Sequence, residues 1–513
     1  MKLDKTKNTL RNTFWGFIQQ IVQILLPFFT RTLLIKLLGA EYLGLNSLFS
    51  SILQVLNLAE AGFSSAIVFS MYKPIADDNQ ELICALLALY RRIYRIVGLV
   101  VTILGLSILP FLPHLINGTP PDDVNIYVLY IIYLSNSALS YFLFAYKNSL
   151  FAAFQRNDVT SKLSTALAIL QPLSQIILLY TCRSLIIYTI VIPIISIIRN
   201  MGTAFLSNKY FCKYKCQGFV SKDIKNGIYK KVSGLFIGKL SQTTRDSFDS
   251  IFISSFIGLN SVSIYSNYYY IMNAIHGFLQ IIATSMSAGI GNNIAIETTE
   301  DNYSLFSSIS FLYMVLAGWC TVFLLCLYQP FMMLWVGESF LLPLPTVIIL
   351  CFYFYLLCMG DIKGVFAGAA GLFWEGRYKS IIESIANIIL NYMLVRIFGI
   401  FGIILATAIT ILFINFGYGS EILFRYYFKN KKLLFDFFLS NFQYLFVTVL
   451  CSAITFLACE MLFVENNFFT FLGRITFCLF IPSIVFFIFY RKKINEEKIK
   501  TLIKKILRKM LNS

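Results

Sequence analysis

The chain has 513 residues, 58% of them apolar and only 13% charged, with a formal net charge of +17 and a mean hydropathy of +0.73. A soluble chain of this length carries roughly a quarter charged residues and divides into several domains. This composition excludes that class and points to an all-α integral membrane protein.

Apolar runs recur from end to end, each of the ~18 or more residues that span ~30 Å of hydrocarbon. Fourteen helical spans are predicted, at 14–37, 44–70, 93–113, 126–153, 163–182, 185–207, 233–257, 263–292, 308–328, 342–370, 380–397, 400–424, 441–463 and 469–489. The first leads straight into the second, so it reads as a mature span and not as a cleavable signal. It is polar along one face. Asn12, Gly16, Gln19, Gln20, Gln23, Pro27, Thr30 and Arg31 recur at three and four residues, a stripe that cannot face lipid. Arg31 has no carboxylate three or four residues away on its own helix. Its planar fork matches a phosphate bidentately, which makes it a candidate for gripping an anionic ligand. The second span holds Glu60. The segment DDNQELICALLALYRRIYR (77–95) predicts an interfacial amphipathic helix capped by Asp77, with Gln80 at the box position.

The seventh span contains GKLSQTTRDSFDSIFIS (238–254), with Lys239, Arg245, Asp246 and Asp249 at membrane depth. Charges there cost at least ~2.5–3.5 kcal/mol each on insertion scales and mark function by default. Lys239, Gln242, Asp246 and Asp249 share a face, with Arg245 beside them. A structural ion pair among Arg245, Asp246 and Asp249 is the bland alternative. The eighth span holds a lone His276, read as a packed or pore-facing polar residue. The tenth carries Asp361 and Lys363 within MGDIKGVFAGAAG (359–371), where the choice lies between ion coupling and a structural role. The tail IKTLIKKILRKMLN (499–512) predicts an amphipathic helix lying on the membrane surface.

Eleven cysteines, most of them inside apolar spans, read as small hydrophobes. Cys212 and Cys216 have no second pair or His to complete a zinc site. No metal or other cofactor is expected.

Lys and Arg set the orientation. With the N-terminus in the cytoplasm, Lys2, Lys5, Lys7, Arg11, Lys73, Arg91, Arg92, Arg95, Arg156, Lys162 and the basic linker 208–232 all fall inside, whereas Arg183, Arg396 and Arg474 fall at outside ends. The excess of positive charge therefore reads as topology and contact with anionic inner-leaflet lipids. Nucleic acid is not expected as a partner, because the basic residues are scattered over many loops.

An internal repeat is visible. LLGAEYLGLNSLFSSI (37–52) and SFIGLNSVSIYSNYYYI (255–271) align Gly39 with Gly258 and Ser47 with Ser266, six spans apart. The same offset places Gln23 on Gln242 and Gln20 on Lys239. An even number of spans predicts parallel halves related by a pseudo-two-fold axis along the membrane normal. The expected organisation is an N-terminal lobe at 1–207, the linker at 208–232, a C-terminal lobe at 233–424, two added spans at 425–490 and a tail at 491–513. Two six-helix lobes would then line a central polar cleft, with Gln20, Gln23, Arg31, Lys239, Gln242 and Arg245 as substrate-binding candidates. Asp246, Asp249, Asp361 and Lys363 are the ion-coupling candidates.

The stretch RTLLIKLLGAEYLGLNSLFSSILQVLNLAEAGFSSAIVFSMYKPIADDN (31–79) resembles the N-terminal signature of bacterial polysaccharide exporters, and GLNSVSIYSNYYYI (258–271) resembles their second-lobe segment. These are the O-antigen and capsule oligosaccharide flippases of the multidrug/oligosaccharidyl-lipid/polysaccharide (MOP) superfamily. The resemblance implies a multi-pass protein of the bacterial plasma membrane, with both termini cytoplasmic. It would move undecaprenyl-pyrophosphate-linked oligosaccharide outward by alternating access, serving O-antigen, capsule or exopolysaccharide synthesis. A polysaccharide polymerase and chain-length machinery are the implied protein partners. No Walker A motif is present, so ATP is not the direct energy source. One rival is a cation-coupled multidrug antiporter of the same superfamily, expected to have a more acidic cleft. Another is a membrane polymerase or glycosyltransferase, but the outside loops at 114–125 and 329–341 hold no catalytic set, so no enzyme is expected. The polar stripes disfavour a non-transporting scaffold.

Overall fold

The computed structural model describes residues 5–463, 467–494, 496 and 500. The predicted tail helix over 499–512 lies, but for Lys500, outside them, as does the side chain of Asn12. Among the described residues there are helices, turns and connecting segments and no strand. That is what hydrocarbon demands, because an open sheet edge in lipid would leave unpaired backbone groups costing several kcal/mol each.

The helices in order are α1 (Lys5–Leu37), α2 (Ala40–Leu56), α3 (Phe63–Ala76), α4 (Gln80–Ile108), α5 (Ile126–Phe142), α6 (Asn148–Ala153), α7 (Asn157–Cys182), α8 (Leu185–Tyr210) and α9 (Lys222–Phe256). They continue as α10 (Leu259–Ser285), α11 (Ser287–Ile296), α12 (Thr299–Val336), α13 (Leu344–Ala369), α14 (Arg377–Thr410), α15 (Gly419–Leu423), α16 (Lys431–Leu462) and α17 (Phe468–Ile494). Two π-helical segments, Ile411–Tyr418 and Phe424–Phe428, flank α15.

Among the described residues, eleven helical stretches are long and apolar enough to cross a membrane, or twelve when the pair Ile126–Phe142 and Ala145–Ala153, bent by 52°, is one span. α9 falls short because of its charges, and Arg377–Phe428 counts once although Gly399 (φ 58°, ψ −133°) breaks it. With α9 admitted and that stretch divided, each of the fourteen predicted spans has its helix.

The segment over 77–95 differs from expectation. Asp77 ends α3, and Asn79 caps α4 by accepting from the Leu82 N–H at 3.0 Å. Gln80 is the first helical residue and donates to the Lys213 carbonyl at 2.9 Å. α4 runs unbroken into the third span, so the charged start and the apolar end form one helix. Asp78 has φ 50° and cannot continue α3, which moves the cap two residues on.

The chain divides into two compact units, Met1–Ser266 and Asn267–Ser513. In the first, α1 packs on α7, α7 and α5 on α8, α4 on α5, and α2 on α9. Leu34, Leu45, Phe49, Ile67, Leu86 and Tyr130 form its core. The Phe49 and Tyr130 rings meet edge to face at 5.5 Å, an arrangement that favours the ring quadrupoles. In the second unit α12 is central, packing on α13, α16 and α17. Phe306 of α12 gathers Phe366, Phe428 and Phe437 at centroid distances of 4.9, 5.6 and 5.2 Å.

The repeat reappears in the first unit as backbone geometry. Gly39 and Gly258 have φ +121° and +124°, open to glycine and costly for residues with a Cβ. Leu38 and Gly39 N–H groups both donate to Leu34 O, and Ile257 and Gly258 N–H groups both donate to Ile253 O. The two hydrogen-bonding patterns coincide at the offset read from the sequence.

Candidate substrate and ion sites

α1 carries the first set of polar candidates. Pro27 removes one backbone donor from its interior, and Thr30 donates its hydroxyl to the Pro27 carbonyl at 3.0 Å. Gln20 is half-buried and Gln23 exposed. Arg31 donates from Nη2 to the Ser266 hydroxyl at 2.7 Å. Ser47 donates to the same hydroxyl at 3.2 Å, and Ser266 donates on to Ser263 O at 3.0 Å. Ser47 and Ser266 are equivalent in the repeat, so equivalent atoms of the two segments touch each other.

α9 lays a face of small residues, Ser241, Thr244, Ser247, Ser250 and Ser254, into the packed interior. Small side chains let helices approach closely in a membrane bundle. Its charged candidates separate. Lys239 is exposed and donates to Gln242 Oε1 at 2.8 Å. Arg245 Nε lies 3.8 Å from Asp246 Oδ1, with both side chains partly buried. Asp249 is 1% exposed and accepts from the Tyr265 hydroxyl at 3.0 Å. The stripe read from the sequence is therefore graded, from solvated at Lys239 to packed at Asp249.

A polar cavity of about 540 Å³ opens within the first unit, lined by Gln19, Glu60, Tyr94, Asn136 and Arg199 among others. Glu60 sits on the 3₁₀ turn Asn57–Glu60 that separates α2 from α3. Tyr90 donates to Tyr94 at 2.8 Å, and Tyr94 donates to Glu60. Tyr141 donates to Asn57 at 3.0 Å, and Ser196 to Asn136 at 2.6 Å. The sequence offered Glu60 as an isolated charge. Its tyrosines come from two later helices and had no local signal, whereas Arg199 of α8 is a charge within an apolar run.

In the second unit Asp361 and Lys363 of α13 engage different partners. Two residues apart on a helix are about 200° apart around it. Asp361 Oδ2 accepts from the Tyr313 hydroxyl at 2.6 Å and lies 3.0 Å from His276 Nε2. Lys363, 4% exposed, donates to the backbone carbonyl of Asn415. Asn415 in turn donates to both carboxylate oxygens of Glu383 at 3.2 and 3.0 Å. Asn415 lies in the π-helical segment Ile411–Tyr418. Such bulges disturb the regular hydrogen-bond ladder and recur at functional sites. Glu383 and Asn415 passed unnoticed in the sequence, as single polar residues inside apolar runs.

Two groups of metal-type donors occur among the described residues, each with its ligand atoms within 4.8 Å of one another. One is His276, Cys358 and Asp361. The other is Cys326, Cys459 and Cys478.

Comparison with solved structures gives the fold. A structure described as lipid II flippase MurJ in an inward closed conformation superposes with a TM-score of 0.66 at 18% identity, covering 94% of this chain and 99% of that one. An inward-facing multidrug resistance MATE family transporter of the MOP superfamily gives 0.60 at 15% identity, covering 77% and 93%. A MOP superfamily transporter from Pyrococcus furiosus, described as having a binding pocket of reverse polarity, gives 0.58 at 14%, covering 81% and 96%. No curated protein matches the chain in sequence. The sequence profile of the polysaccharide biosynthesis protein family matches residues 9–288, more than half of the chain, and the chain, a multi-pass helical membrane protein, belongs to that family.

Proposed function

We propose that the chain is a flippase that carries undecaprenyl-pyrophosphate-linked oligosaccharide from the inner to the outer leaflet of the bacterial plasma membrane by alternating access. One observation carries the reading. α1 and α9, at equivalent places in the repeat, both hold polar and charged side chains inside an otherwise apolar helical protein of a polysaccharide biosynthesis family. Sugars and a pyrophosphate cannot cross hydrocarbon unaided, because each unsatisfied polar group costs several kcal/mol and charge far more. Polar helix faces remove that barrier while a polyprenyl tail stays in lipid. The likeness to a lipid II flippase supports a lipid-linked substrate.

In this reading both termini are cytoplasmic. Arg31, Gln20, Gln23, Lys239, Gln242 and Arg245 meet the head group, and Asp246 and Asp249 balance the cations when it is absent. Asp361, within reach of His276 and Tyr313, couples an ion, with Lys363 and Glu383 forming a neighbouring buried charge network. An outward-moving anion also gains ~2.3 kcal/mol per charge per 100 mV from an inside-negative potential.

The test is reconstitution into liposomes with a labelled lipid-linked oligosaccharide, reading exposure of the sugar on the far leaflet. Exposure should be faster than in empty liposomes. The second reading, a multidrug–cation antiporter, is favoured by the likeness to MATE transporters. It predicts ion-driven efflux of organic cations and no acceleration of sugar exposure.

A further inference from the structure

Three cysteines that the sites above leave unused meet inside the second unit. Cys326 comes from α12, Cys459 from α16 and Cys478 from α17, each 0% exposed. All three are free thiols, and their sulfurs lie within 4.8 Å of one another. Cys84, Cys351 and Cys451, also buried, belong to no such group. Around the three thiols the helices are tied together. Trp319 of α12 donates its indole N–H to the Cys478 carbonyl of α17 at 2.9 Å. Arg474, one turn before Cys478 and 3% exposed, donates to Glu460 at 2.6 Å and to Phe463 O at 2.7 Å. Its guanidinium is within electrostatic reach of Cys459 and Cys478.

We propose that Cys326, Cys459 and Cys478 bind one thiophilic monovalent metal ion, with copper(I) the best fit. Soft sulfur donors select copper(I) over harder cations. The group offers three donors, whereas structural zinc takes four. Charge favours the same ion. Copper(I) displaces two thiol protons, which leave to water, and the third sulfur binds as the thiol; no electron is transferred. The centre then carries one negative charge, which the buried Arg474 cation offsets. Glu460, 50% exposed at its side chain, shares that cation from the surface. The bound ion joins α16 and α17 to α12.

The experiment titrates the purified full chain, in detergent with a phosphine reductant, with the acetonitrile complex of copper(I) against bathocuproine disulfonate. One copper per chain is expected, with an X-ray absorption spectrum fitted by three sulfur neighbours. Each of Cys326→Ser, Cys459→Ser and Cys478→Ser should lose at least roughly 100-fold in affinity, since even outer-shell changes cost 10–100-fold. The triple Ser variant should lose the site, while a control triple variant at Cys84, Cys351 and Cys451 keeps it. Binding that survives in the triple variant overturns the proposal. So does a spectrum dominated by oxygen or nitrogen neighbours, which decides the matter from the unsubstituted chain if the triple variant does not fold. A disulfide found between two of these cysteines, with no copper taken up after its reduction, also overturns it.

Discussion

Arg31 donates to the Ser266 hydroxyl, and its planar fork matches a phosphate anion in shape and charge. If that anion is the pyrophosphate, Arg31→Lys keeps the charge, loses the fork and should retain part of the transport. Arg31→Gln should lose most of it, with lipid-linked intermediate accumulating on the cytoplasmic face. Normal glycan export by the Arg31→Gln protein at matched level removes Arg31 from the site. Arg245 tests the other helix. Its guanidinium faces Asp246 across 3.8 Å, so two roles make opposite predictions. As a ligand-facing group, Arg245→Ala abolishes transport in a protein that still folds. As half of a structural pair, it leaves a partly buried acid uncompensated, a loss of up to ~3–5 kcal/mol. Arg245→Ala combined with Asp246→Asn would then restore both protein level and export. The charged candidates could be found in the sequence because a charge in an apolar run is conspicuous. Tyr94, Tyr313 and Asn415 could not, whereas Glu383, a charge within the run 380–397, was open to the same reading. Tyrosine is ordinary in membrane helices, and the networks join residues 34 to 48 positions apart or reach across a π-helical turn.

α1 and α9 show what periodicity settles and what it leaves open. Spacing by three and four places their polar residues on faces. It could not distinguish exposed Lys239 from buried Asp249, because burial along α9 is set by the helices packed against it, α2 among them. Similarly, the segment over 77–95 was legible as amphipathic, while its fusion with the third span turned on the left-handed Asp78 and the Asn79 cap. The break between α1 and α2 yields a stability prediction. A Cβ at Gly39 would meet only Tyr42, at 3.9 Å, so Gly39→Ala carries backbone strain without a clash. A loss of ~1–3 kcal/mol is expected. Gly258→Ala adds a contact of 3.1 Å with the Asn117 carbonyl and should lose more. Thermal unfolding of both variants in the same detergent checks the order. Equal or absent shifts would mean that the two breaks can relax into ordinary helix.

The alternation of basic loops predicts an orientation with both termini cytoplasmic, and this is the simplest large-scale property to measure. Single cysteines at Thr119 and Ser339 should react with an impermeant reagent applied from outside. A cysteine at Lys222 should react only after permeabilisation. Labelling at 222 in intact cells would invert the proposed orientation and with it the direction of transport. The number of spans was readable because hydrophobic length is a local property, whereas the grouping of helices into compact units is not.

Gly39 and Gly258 also bear on which base changes the chain tolerates. Every change in the first or second base of a glycine codon replaces glycine, save the one that makes a stop. Each replacement adds a side chain where φ is +121° or +124°, and only third-base changes are silent. The two segments share little sequence, yet Leu34–Gly39 and Ile253–Gly258 stop their helices with the same glycine geometry and the same pair of hydrogen bonds.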